Sequence, residues 1–317
     1  MPCLFCGSAG PLTDEHALPK WARKAIGATG ARSEMHTVRQ GDRPTSAPTG
    51  RPRQTFTGLT VVARKALCGP CNTGWLSGLE RDVAPLLSPA MRGEPVKLSP
   101  DQQQLVVFWA TKTSLLIEVA SRQWRAAGTM PTSHLRWLYD HREDRQPPPG
   151  TVVWLASLNP WFGDDFVPTW CSSGTLISGD PRDDPNRTND SYIATFSVGC
   201  LVIQIVGQDF RKSDHLTPTG LPFVTIIPPR KLAPYLLSIW PKLNPVAASW
   251  PPNYVILAED WTRFAEWYST LTWFHRNDTL TGEITGVFMA ERRGVLPPLG
   301  NPPPRPHRES PDSKPNA

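Results

Sequence analysis

Leu67-Cys68-Gly69-Pro70-Cys71-Asn72-Thr73-Gly74-Trp75 decides how the N-terminal part of this chain folds. Cys-x-x-Cys is the shortest loop that lets two thiolates reach one metal ion. A second such pair, Cys3 and Cys6, stands at the N-terminus, so four sulfurs are on hand to close one tetrahedral Zn²⁺ site. Sixty-one residues separate Cys6 from Cys68, far more than a simple finger uses, so the chain must leave this corner and return to it. Disulfide pairing competes with zinc here, but Met1 runs straight into the first pair and nothing reads as a signal peptide. A thioredoxin-like dithiol is disfavoured, because two pairs are present and no βαβ pattern surrounds either. Cys171 and Cys200 stand apart in apolar surroundings and read as core thiols.

On both sides of the second pair the periodicity changes. Before it, Gln54 to Arg64 alternates and is rich in β-formers, which predicts a strand entering the cysteines. After it, Trp75, Leu76, Leu79, Val83 and Leu86/Leu87 make one apolar helical face, with Asn72 near the N-cap. Lys20 to Ile26 predicts a short helix stopped by Gly27. Ser99-Pro100-Asp101-Gln102 has the form of a capping box with proline at the first helical position. The apolar positions Leu105, Phe108, Trp109, Leu115, Leu116 and Val119, with the stem of Lys112, carry that helix to about Ser121. Thr132 to Tyr139 reads as another short helix. From Thr151 the pattern turns to strands at Thr151–Leu158, Thr175–Ser178, Tyr192–Val206 and Phe223–Ile227, with a hairpin turn or bulge at Gly199-Cys200. A final aromatic-faced helix is expected over Glu259–Phe274, its aromatics serving as core rather than as a base-stacking platform, and a disordered Pro-rich tail beyond it. The expected class is α+β. Residues 1–95 form a zinc-binding unit with a basic loop, 96–293 a strand-rich α+β domain of unassigned role, and 294–317 the tail.

The formal net charge of +5 is unevenly placed. Between Lys20 and Lys65 ten Lys/Arg stand against Glu34 and Asp42, a segment of net +8. Such a field favours a polyanion, since each cation near it releases condensed counterions; a solvated loop rich in Pro, Gly, Ser and Thr is the plainer reading. Lys20, Arg23, Lys24, Arg64 and Lys65 are the candidate contacts. The apolar runs are too short or too interrupted to span a bilayer, which points to the cytoplasm.

Thr13-Asp14-Glu15-His16-Ala17-Leu18-Pro19-Lys20-Trp21, taken with Cys3/Cys6 and Cys68 to Trp75, resembles the HNH endonuclease family over about the first 80 residues. The resemblance implies a ββα-metal or treble-clef core stapled by structural zinc. It also implies a divalent cation, Mg²⁺ or Mn²⁺, on the scissile phosphate of DNA. By that correspondence His16 activates water, Glu15 matches the acidic metal-ligand position, and Asn72 the final ligand position. The residue types suit the chemistry: imidazole titrates near neutral pH, and carboxylate and amide oxygens suit a hard cation. Residues 17 to 67 contain no asparagine, so the middle Asn of the family has no counterpart, and His36 and Gln54 are the available substitutes. A catalytically inactive zinc treble clef that binds nucleic acid or a protein is the alternative. Zinc nucleobase deaminases are excluded by order, Glu-His rather than His-x-Glu. The oligomeric state stays open.

Overall fold

A computed structural model describes residues 1–27, 32–38, 54–57, 62–122, 132–159, 161–162, 165–176, 191–208, 237–240, 247–252, 255–256 and 284–291. The chain begins with β1 (Leu12–His16), α1 (Lys20–Ala25), β2 (Arg32–Val38), β3 (Gln54–Thr57) and β4 (Val62–Cys68). A π-type turn over Pro70–Leu76 then leads into α2 (Ser77–Met91), followed by β5 (Val96–Leu98), α3 (Pro100–Arg122) and α4 (Thr132–Asp140). The remaining strands are β6 (Val152–Leu158), β7 (Trp161–Phe162), β8 (Asp165–Leu176), β9 (Ser191–Val198), β10 (Leu201–Gln208), β11 (Leu237–Trp240), β12 (Ala248–Trp250), β13 (Val255–Ile256) and β14 (Ile284–Glu291). Helices and sheets thus combine in an α+β arrangement.

β1 and β4 pair antiparallel, and α2 follows β4 directly. Most other strands join one sheet in the order β11-β6-β10-β9-β8-β14-β2-β3, with β13 added beside β6 and β7 beside β8. The single strand expected over Gln54–Arg64 is therefore two: β3 belongs to the large sheet and β4 to the cysteine hairpin. Alternation along a sequence states that a segment is extended, but not which partner it pairs with. The Phe223–Ile227 strand, the Glu259–Phe274 helix and the Pro-rich tail lie outside the described residues, as does the side chain of Cys171.

α3 is the axis on which the two parts meet. Its start is the expected capping box: Ser99 N–H donates to Gln102 Oε1 at 2.9 Å, and Gln102 N–H donates back to Ser99 Oγ at 3.3 Å. Its body is buried almost all round, because it packs on β4 and α2 on one side and on β8 to β11 on the other. Trp109 is fully buried and lies 5.6 Å from the Trp21 ring and 6.0 Å from the Phe196 ring, linking α1 to β9. Each such aromatic contact adds about 1 kcal/mol beyond the area it buries. Trp75 makes a parallel link, edge-on to Phe5 at 5.1 Å and to Phe108 at 6.3 Å. One apolar cluster consequently runs from Cys3 and Phe5 through α2 and α3 to Val153, Phe196, Ile203 and Trp250.

The β9–β10 hairpin adds a second brace. Val198 pairs with Leu201 across the two-residue turn Gly199-Cys200, so the predicted alternative of turn or bulge resolves to a turn. Its tip lies on the end of α2, where Cys200 N–H donates to Met91 O at 2.9 Å. Gly199 has φ +55°, and a Cβ there would sit 2.2 Å from Met91 O and 2.7 Å from Ile26 Cγ2. Only glycine lets the turn come this close. Among the described residues no helix is long and apolar enough to cross a membrane.

Candidate functional site

The antiparallel β1–β4 pair is flanked by the Cys3–Ser8 turn and by the turn that starts after Gly69. Cys3 N–H donates to Ser8 O at 3.0 Å, Gly7 N–H to Cys3 O at 2.9 Å, and Leu4 N–H to Ala66 O at 3.1 Å, which fastens the first cysteine loop to β4. The four Sγ atoms of Cys3, Cys6, Cys68 and Cys71 then lie within 4.8 Å of one another, with Cys6 and Cys68 3.5 Å apart. None is in a disulfide. Sulfurs bound to Zn²⁺ at about 2.3 Å sit about 3.8 Å apart at the corners of a tetrahedron. The cluster therefore fits a metal such as zinc in both donor chemistry and spacing. Burial pushes the Cys6 thiol up, but hydrogen bonds from the Ser8 side chain and backbone and from Cys3 and Cys68 outweigh it and bring it to about 6. Burial raises Cys71 well above an ordinary thiol, and Cys68, Cys6 and Cys3 add to this while the Trp75 indole opposes it. One sulfur is thus ready as thiolate and another holds its proton, which a metal would have to displace.

The other end of the same strand carries the Glu15-His16 dipeptide. Between Thr13↔Leu67 and Glu15↔Ala63 the register slips, because β4 uses four steps where β1 uses two. Lys65, with φ +45°, takes up the slack, and its N–H donates to Asp14 Oδ1 at 2.7 Å. Such a bulge re-aims side chains. Here Glu15 is left 8% exposed while His16 is half-buried.

Asn72 is placed differently from the sequence expectation. The turn starts at Pro70 with Gly69 before it and no side-chain cap, so Asn72 is not a capping residue. Its Nδ2 instead donates to Thr13 Oγ1 at 2.9 Å and to Asp14 O at 3.1 Å, tying the start of the helix across to β1. Thr13 Oγ1 in turn donates to Leu67 O at 2.9 Å.

Two further residues reach this neighbourhood from α2 and α3. Lys112 of α3 has no solvent exposure, and its Nζ donates to Glu80 Oε1 of α2 at 2.8 Å; Glu80 is 20% exposed. Both act on Glu15. Burial pushes the Glu15 carboxyl up, Lys112 pulls it down, Glu80 pushes it up and a backbone hydrogen bond from His16 lowers it, for a result of about 7. His16 moves the other way. Burial holds it below the ordinary imidazole value, Arg23 and Lys20 add to this, and Glu80 and Asp14 oppose it, which leaves a neutral ring at neutral pH. Lys112 falls on the apolar face of the expected helix, where its stem packs with the core; a charged residue at such a position is the signal that a buried partner exists.

The basic candidates fall in two groups. Lys20 and Lys24 of α1 and Arg64 and Lys65 of β4 are exposed, and Arg23 is half-buried. His36 lies in β2, which pairs with β14 and β3, and Gln54 in β3, which pairs with β2; both belong to the large sheet rather than to the β1–β4 pair. No protein-family model, curated protein or solved structure matches the chain.

Proposed function

We propose that β1, β4 and α2 form a treble-clef, ββα-metal unit of the HNH type with structural zinc on the four cysteines, and that the protein is a metal-dependent DNA endonuclease. The observation that carries this reading is the double hydrogen bond from Asn72 Nδ2 to Thr13 and Asp14, which sets the residue after the last cysteine against the strand that ends in Glu15-His16.

His16 is the base. Its imidazole is neutral at neutral pH, so it can take the proton of a water molecule as the water oxygen forms a bond to phosphorus. The phosphorus–oxygen bond to the departing sugar then breaks, and that oxygen keeps the electron pair and is protonated from solvent. Glu15 and Asn72 are the residues that would hold a divalent cation, Mg²⁺ or Mn²⁺. They fit in kind: the Asn72 amide nitrogen is committed to β1, leaving Oδ1 as acceptor, and burial has driven the Glu15 carboxyl toward a neutral form that a cation would reverse. When bound, such a cation neutralises charge on the phosphate and the departing oxygen. Lys20, Lys24, Arg64 and Lys65 supply sequence-independent attraction to the DNA backbone. Four free thiols suit a reducing compartment, the cytoplasm.

One observation favours the second reading, a catalytically inactive zinc module that binds nucleic acid: neither His36 nor Gln54 belongs to the β1–β4 hairpin, so the family's middle Asn finds no substitute in those two residues. The deciding experiment is nicking of supercoiled plasmid with Mg²⁺ or Mn²⁺, beside an EDTA blank and a His16→Ala variant. The endonuclease reading expects metal-dependent nicking that falls at least about 100-fold in the variant, with zinc content unchanged. Nicking retained by the variant removes His16 from the role. No nicking with either metal leaves the inactive module.

A further inference from the structure

The four sulfurs of the cysteine cluster are not equivalent. Cys3, Cys68 and Cys71 are buried, whereas Cys6 is half-buried and its Sγ lies 2.9 Å from Oγ of the exposed Ser8. Solvent therefore reaches the cluster at Cys6. The same sulfur is 3.5 Å from Cys68 Sγ on the opposite loop, a little closer than the tetrahedral edge of about 3.8 Å that four Zn–S bonds require. An accessible thiolate with a second thiolate in contact is the arrangement in which a sulfenic acid is captured before it oxidises further.

The chain around Cys6 is anchored independently of the sulfurs. Leu4 N–H donates to Ala66 O of β4 at 3.1 Å, and the fully buried Phe5 ring lies 5.1 Å from that of Trp75. Arg136 of α4 donates from Nη1 to Cys6 O at 2.6 Å. Cys68 closes β4, two positions beyond Ala66. These contacts hold Cys6 opposite Cys68 when one sulfur leaves the metal, so a reacted Cys6 stays within reach of its neighbour.

We propose that Cys6 is an oxidation site, and that hydrogen peroxide turns Cys6 and Cys68 into a disulfide that replaces the metal as the staple between the two cysteine loops. This rests on the zinc part of the reading above and is independent of phosphodiester hydrolysis. The Cys6 thiolate attacks one peroxide oxygen, the O–O bond breaks, and hydroxide leaves and takes a proton from solvent. The Cys68 thiolate then attacks the sulfur of the sulfenic acid, the S–O bond breaks, and a second hydroxide leaves and is protonated. Two thiolates, one peroxide and two protons thus give one disulfide and two waters, the sulfurs losing two electrons and the peroxide gaining them. Cys3 and Cys71 alone leave a tetrahedral site half-filled, so the metal is lost. The bridge joins residues 62 positions apart, and a cross-link over so long a loop restrains the unfolded chain more than one inside either Cys-x-x-Cys turn. A thiol reductant reverses the exchange.

The test treats the zinc-loaded full chain with hydrogen peroxide. Zinc release is read with a chromogenic chelator, the cysteines by peptide mass spectrometry, and β1 and β4 by hydrogen exchange. With limiting peroxide and a sulfenic-acid trap, Cys6 is expected to carry at least about ten times the label of Cys3 or Cys71, as its access to solvent dictates. Without the trap, zinc should leave in step with a Cys6–Cys68 cross-link, and dithiothreitol with added zinc should restore the starting protein. Protection in β1 and β4 should survive oxidation. Cys200→Ser, which removes a half-buried thiol outside the cluster, should release zinc at the wild-type rate. A cross-link within either pair, sulfinic acid without a bridge, protection lost on oxidation, zinc kept through full peroxide treatment, or release slowed in Cys200→Ser overturns the proposal. If the protein takes up no zinc, the zinc reading fails separately. Cross-link mapping on the reduced, metal-free chain then decides for the bridge: Cys6–Cys68 keeps it, and any other pairing ends it.

Discussion

The two ends of β1 are built on opposite principles. At the Leu12 end the strand lies against four sulfurs held within 4.8 Å of one another by two tight turns. At the His16 end its Glu15 and His16 come under the charges of Glu80, Lys112, Arg23 and Lys20, carried by three helices. The sulfur end is closed and soft in donor chemistry, and each of its two halves is set by a local Cys-x-x-Cys turn, though the halves meet across 61 residues. The charged end is assembled from long-range contacts and holds opposing charges under partial burial. A metal would release protons from the first, while burial has loaded a proton onto the second, so the two should respond to pH in opposite directions.

The largest break in this contrast comes from the sulfur end. Cys68→Ser, or a strong chelator on the metal-loaded protein, should remove a binding contribution of about 10 kcal/mol. Metal analysis should show loss of zinc, and hydrogen exchange should show loss of protection across β1, β4 and the following turn. Retained protection there would mean that the aromatic packing of Phe5, Trp75 and Phe108 holds the corner without metal.

Next comes the ion pair at the charged end. Glu80→Gln leaves Lys112 enclosed without its 2.8 Å partner and should cost about 3 kcal/mol, as broken buried pairs do. Lys112→Met/Glu80→Gln should recover most of that loss, since a buried pair replaced as a unit is close to neutral. Urea melts of the two single variants and the double variant check this. Additive losses would show that the two residues do not act as a pair.

These two tests also mark what could be read from the chain. The sulfur end was legible because its information is local: two Cys-x-x-Cys spacings, glycines in the turns and the helical period from Trp75 to Leu87. The Ser99-Gln102 box was legible for the same reason, since both hydrogen bonds close within three residues. Glu15 and His16 stand out in the sequence as a dipeptide, but the charges around them do not. Nothing within ten residues of Glu15 announces Lys112, almost a hundred positions away on α3. The division of Gln54–Arg64 between two sheets was hidden likewise, because β3 takes its place beside β2 through a pairing that alternation alone does not specify.

The pH contrast sharpens the comparison further. Glu15 is raised from an ordinary carboxyl to about 7, so between about 4.5 and 7 the folded protein holds a proton that the unfolded chain has released. Stability from this group is therefore full at low pH and falls as pH rises toward 7, by about 3 kcal/mol in all. Glu15→Gln should flatten that slope and raise stability at pH 8, measured by urea melts of metal-free protein at pH 5 and pH 8. Zinc affinity should move the opposite way, weakening as pH falls and thiolates are protonated. A Glu15→Gln slope equal to wild type would place the carboxylate in contact with water.

The smallest effect probes the brace that holds the charged end together. The β9–β10 tip lies on Met91 and Ile26, where α2 ends and α1 stops. Gly199→Ala would put a methyl 2.2 Å from Met91 O at a φ of +55°, so the tip must lift and the Cys200 N–H must lengthen from Met91 O. The left-handed backbone costs about 1 kcal/mol and forced repacking about as much again, a loss of about 2 kcal/mol in a urea melt. Because the same contact steadies the ends of both helices that carry charge to His16, nicking should decline with it while zinc content does not. A Gly199→Ala protein that loses zinc would instead show that the two ends of β1 are coupled through α2, and the contrast between a closed sulfur end and an assembled charged end would have to be given up.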